Sequence, residues 1–163
     1  MYTMLRVLHG YVHEDNFYTS LLREKAIFII PAVNYDGFKY ISDKFRETGK
    51  LEYIRKNRHV YREMQVCKAE DQGVDLNRNY GFMFDHDNRG SSGVPCGEDY
   101  RGPEAFSEPE TQAMKNFIEN YPMIKVALNF HGWGPLFIIP FNYDNSKSNA
   151  RLNKNHPKAA KFF

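Results

Sequence analysis

No apolar run in this chain of 163 residues approaches the ~20 residues that a membrane span needs. The longest, residues 26–32, has the length of a buried strand. Neither sign of charge dominates. Lys and Arg number 22 against 20 Asp and Glu, a net charge of +2 that is too near neutral to argue for nucleic acid or an anionic membrane as partner. The start of the chain has no basic, apolar, then small-residue leader pattern. Internal repeats and low-complexity segments are absent. Cysteine is scarce, with only Cys67 and Cys96, both in polar, glycine-rich surroundings. They could be free thiols or could pair. A bond between them would close a loop of about 30 residues and stabilise by ~3–4 kcal/mol on the chain-entropy model.

What is present suits one domain; the length is too short for two ordinary ones. Hydrophobic residues make up 42% and aromatics 15%, enough to pack a core and to exclude global disorder. Apolar residues in 1–9 follow a helical spacing, with Gly10 as a C-cap, and Leu21 and Leu22 close a short second helix. Residues 26–30 are apolar without a break and stopped by Pro31, the mark of a strand buried on both faces. Asn34-Tyr35-Asp36-Gly37 reads as a turn. Residues 41–101 show little periodicity and much Gly, Asn, Asp and charge, and a loop region of that length usually carries function. Ser107 and Glu110 form a capping box. The helix that follows reaches about Asn120, turns Ala113, Met114, Phe117 and Ile118 inward, and ends at Pro122. Residues 125–130 are a second strand and 136–139 a third. The chain opens like the middle of a helix without a cap, and 157–163 read as the first turns of another. Both ends suggest an internal segment of a longer protein.

Three places carry candidate chemistry. His131 stands past the strand that ends at Phe130, and strand ends in open α/β sheets are where ligands bind, although by position alone a histidine that merely ends a strand reads the same. Arg55-Lys56-Asn57-Arg58 is a basic cluster, for which a solvated charge run is the usual explanation. Asp75-Leu76-Asn77-Arg78-Asn79-Tyr80, flanked by Gly73 and Gly81, sets an amide beside a five-donor guanidinium, which is what a pair of carboxylate or phosphate oxygens needs. His9 and His13 are four apart and could share a helix face, but Gly10 between them argues against a helix and against a metal site there.

The order of these pieces, continuing through Cys67, Gly90-Ser91-Ser92, Pro95-Cys96, Tyr100-Arg101-Gly102, Phe106-Ser107-Glu108 and His131, resembles the zinc carboxypeptidases of the carboxypeptidase A/B type over residues 1–143. The resemblance implies an α/β fold, α/β/α layered around a mixed sheet and truncated at both ends, so that 1–163 is a partial peptidase domain. It implies that His131 is the third zinc ligand, with Gly132 where the family often has Ser and Trp133 as the following aromatic. It implies that Arg55 polarises the scissile carbonyl, that Asn77 and Arg78 grip the substrate's terminal carboxylate, and that Cys67 and Cys96 are a disulfide pair. Pro140 matches a family turn that can hold a cis bond. The activity implied is zinc-dependent removal of C-terminal residues from peptides and proteins, by a monomer outside the cell or in a secretory or lysosomal compartment, without nucleic acid or membrane as partner.

The family's first two zinc ligands come as His-x-x-Glu, and no histidine of this chain is followed by Glu at that spacing. The family's general-base Glu lies beyond the position matching Phe163. The chain on its own is therefore expected to be inactive. The competing reading is a module that binds peptide C-terminal carboxylates without cutting them.

Overall fold

A computed structural model describes residues 2–132 and 138. The chain opens with a helical pair, α1 (Tyr2–Val12) and α2 (Asn16–Glu24), followed by α3 (Tyr35–Thr48). Short 3-10 turns at Arg62–Val66, Ala69–Asp71 and Leu76–Arg78 punctuate a long irregular segment, and α4 (Pro109–Asn120) closes the described part.

Gly10 does not cap α1; it lies buried inside it. A Cβ there would sit 2.1 Å from Cδ2 of Tyr18. The glycine is thus required by the close approach of α2 to the backbone of α1, and helix propensity yields to packing. The Asn34–Gly37 turn is the start of α3: the Asn34 side chain accepts from the Gly37 amide, an N-cap that fits a turn and a helix start equally well. The helix then runs eight residues, 41–48, into the stretch expected to be loop and ends on Gly49 at φ 68°. The Ser107 capping box does not form: Glu108 is the N-cap, without a side-chain capping bond, and the Ser107 hydroxyl accepts from Asn79 and donates to Glu108.

Among the described residues no strand ladder is present. The one bridge joins Ser92 and Tyr100. Residues 26–30 and 125–130 carry no strand pairing and lie exposed. Ile27 to Ile30 are 43–46% exposed, and Val126, Leu128 and Phe130 are 66–78% exposed. The inner face expected of α4 is largely open: Ala113 and Ile118 are exposed and Met114 half-buried, Phe117 packs against the rings of Phe28 and Tyr121, and only Thr111 is buried. Most of the third strand, Pro140 and residues 157–163 lie outside the described residues.

The buried centre sits in the irregular segment. Met64, Cys67, Val74 and Tyr100 form its apolar part, flanked by Tyr61. Around it Lys56, Asn57, Asp75, Asn79, Glu108 and Thr111 are also buried. Polar side chains thus do much of the holding, which obliges each to find a partner.

Candidate carboxylate-binding site

The disulfide between Cys67 and Cys96 is formed, with the two Cα atoms 5.3 Å apart. It pins both flanks of the loop that carries Asn77 and Arg78. Lys56 reinforces the pin by donating from Nζ to the carbonyls of Asp71 at 2.5 Å and Pro95 at 3.0 Å. Burial pushes its ammonium below the ordinary lysine range, against the pull of Asp71. The basic cluster is therefore not a solvated charge run. Arg58 likewise donates to the carbonyls of Gln72 and Ala69 and lies over the Tyr40 ring.

Three side chains tie the strand-like run at Gly73–Asp75 and the turn after it to the foot of α4. Asn57 accepts the Val74 amide at 2.8 Å on its side-chain oxygen, while its own amide donates to the Val74 carbonyl. Gly73, at φ 106°, leaves room for this; a Cβ there would lie 1.9 Å from the Asn57 carbonyl oxygen. Asn79 donates from Nδ2 to the Arg101 and Glu104 carbonyls and to Ser107 Oγ, and its Oδ1 accepts from Thr111 and from the Glu108 amide. Glu108, fully buried, accepts from Asn57 Nδ2 at 2.7 Å, Tyr61 Oη at 2.8 Å, Ser107 Oγ at 2.8 Å and the His59 ring at 3.0 Å. Burial, with the Glu108 carboxylate adding to it, pushes the Tyr61 hydroxyl up to about 12. A buried carboxylate with this many donors is stabilised rather than stranded.

On this frame the arginines meet. Asp75 is 2% exposed, and its Oδ1 accepts the Asn77 amide at 3.1 Å. Its Oδ2 lies 2.8 Å from Arg55 Nε and 3.9 Å from Arg78 Nε. Arg55 makes the close ion pair, while Arg78 Nε, buried and beyond hydrogen-bond reach, is drawn to Asp75 by charge. Burial raises the Asp75 carboxyl above its usual range, and the two arginines pull the other way. Arg55 remains 41% and Arg78 28% exposed. Two guanidiniums with solvent access lie near the exposed Asn77, and these are donor types that pair with a carboxylate.

Of the four residues singled out from sequence, the structure brings together Arg55, Asn77 and Arg78. His131 is exposed at the end of the long described run, and no hydrogen bond or ion pair among the described residues ties it to them. Asp75 and Glu108 are the residues the sequence reading left without a role. The signal for Asp75 was its place two residues before Asn77, which suits a side chain accepting a turn amide. Glu108 had none, because three of its four side-chain donors, Asn57, His59 and Tyr61, lie 47–51 positions away.

The zinc carboxypeptidase family model matches residues 1–162. Carboxypeptidase B2 of Rattus norvegicus is 34% identical over 144 residues, covering 85% of this chain and 31% of that protein. Carboxypeptidase B of Astacus astacus is 31% identical over 142 residues, covering 86% of this chain and 43% of that protein. Among solved structures, thrombin activatable fibrinolysis inhibitor matches with a TM-score of 0.57 at 31% identity, over 72% of this chain and 26% of that one. The bovine form, solved in complex with tick carboxypeptidase inhibitor, matches with a TM-score of 0.58 at 27% identity, over 85% of this chain and 46% of that one. The chain spans about a third of the length of the first curated relatives it matches.

Proposed function

The chain belongs to the zinc carboxypeptidase family, and from that premise we propose that it carries the part of such a peptidase that grips the end of a peptide. The observation that supports this is the shared carboxylate: Arg55 and Arg78 both turn Nε toward Asp75 Oδ2, with Asn77 alongside. Asn77 and Arg78 take the substrate's terminal carboxylate. Arg55 faces the scissile carbonyl, where a fixed cation meets the charge that develops on oxygen. The complete protein removes C-terminal residues from peptides. The disulfide suits an extracellular or secretory setting. Residues 26–30 and 125–130 are strands of the mixed sheet of the whole enzyme.

Zinc is the metal the family implies, and it supplies an activated water when held by three protein ligands. The described residues contain no group of three or more His, Cys, Asp or Glu placed to hold a metal. They do not make up a zinc centre by themselves, and His131 would contribute one ligand. What this chain's own residues supply is binding and polarisation.

Titration with an N-acyl dipeptide tests the reading. The free acid should bind and the C-terminal amide should not. Arg78→Gln should weaken the acid about tenfold or more, the loss of at least ~1.4 kcal/mol. Equal binding of acid and amide, or an Arg78→Gln variant that binds like the parent, would overturn it.

A further inference from the structure

The carboxylate site leaves one histidine pair unused. We propose that His9 and His13 form a two-imidazole site for a divalent transition-metal ion at the C-terminal end of α1, separate from any centre to which His131 contributes. The helix runs through Gly10 to Val12, and His13, one residue past it, keeps a helical bond from its amide to the His9 carbonyl, so the two side chains lie on one side at the i, i+4 spacing. Both are exposed, and their rings stack with centroids 4.0 Å apart and planes 19° from parallel.

The hydrogen bonding fixes how His13 presents itself. The His9 carbonyl accepts from the His13 amide at 3.0 Å and from His13 Nδ1 at 2.8 Å. A carbonyl oxygen has no proton to give, so Nδ1 carries the proton and the lone pair stands on Nε2. A metal-ligating histidine characteristically has its second nitrogen engaged in this way by a backbone carbonyl. In the structure the rings stack rather than converge, so ligation requires the exposed His9 ring to turn about its own side chain and bring a nitrogen beside His13 Nε2. The site also sits at a helix C-terminus, where the last carbonyls favour a cation.

No third His, Cys, Asp or Glu side chain joins the pair among the described residues, so water fills the other positions. The site binds an ion and stiffens the last turn of α1; it does not build a catalytic centre. Imidazole suits copper, nickel and zinc, and the divalent series places Cu²⁺ tightest.

The experiment titrates the 163-residue chain with Cu²⁺ and follows the ring carbon signals of all six histidines by NMR. The signals of His9 and His13 should broaden first and together. His9→Ala and His13→Ala should each raise the apparent Kd about tenfold or more, while His131→Ala leaves it unchanged. His9→Ala keeps the backbone carbonyl and His13→Ala removes its ring donor, so agreement between them reports shared ligation rather than local damage. Broadening spread evenly over the histidines, or a first equivalent lost in His131→Ala and kept in His9→Ala, would overturn the proposal.

Discussion

At the scale of the residue, Glu108 decides how the candidate site is held. Its carboxylate has no exposure and takes donors from Asn57, His59, Tyr61 and Ser107. Glu108→Gln keeps the shape and turns one acceptor oxygen into a donor amide, which then faces donors. We expect the local opening free energy to fall by about 3 kcal/mol or more, read as faster hydrogen exchange at the Val74 and Asp75 amides. A change under ~1 kcal/mol at those amides would show that the carboxylate is not the tie. The Asn77–Arg78 pair stood out in the sequence as a candidate because an amide and a guanidinium side by side between glycines suit an oxygen-rich ligand. What the structure adds is its place beside Asp75 and Arg55. Lys56 and Arg58 misled, because a charge run looks the same whether solvated or buried against carbonyls. Only the loop around 69–72 and 95, brought back by the chain, distinguishes the two.

At the scale of the element, the Cys67–Cys96 link carries weight that helices elsewhere would share. It spans 29 positions, and the chain-entropy model gives it about 3–4 kcal/mol. Reduction should therefore release the segment around Met64, Val74 and Tyr100, seen as loss of exchange protection there, while α1 and α2 keep theirs. Protection unchanged after reduction would mean the polar ties suffice. The helices show how far periodicity reads. α2 and α4 follow their apolar spacing, but α3 was hidden behind an Asn-x-x-Gly that serves a turn and an N-cap alike. The run at 26–30 has the composition of a doubly buried strand, yet no ladder forms at it among the described residues. Composition states what a segment requires, not whether it is paired.

That exposure sets the behaviour of the whole molecule. Apolar side chains from 26–30, 126–130 and α4 face outward, so the isolated chain should bind an apolar dye and unfold over a broad thermal range, with the disulfide-pinned centre as its most protected part. A sharp, cooperative transition without dye binding would contradict this. The same chain joins the groups proposed to grip and polarise a peptide end but holds no His-x-x-Glu and, among the described residues, no three-ligand metal cluster. Recognition and hydrolysis should therefore separate. The most direct measurement adds zinc to the purified 163-residue chain and assays release of the C-terminal amino acid from a blocked dipeptide that the chain binds. The account predicts binding of the free acid with no release above background. Zinc-dependent release that disappears in His131→Ala would contradict it.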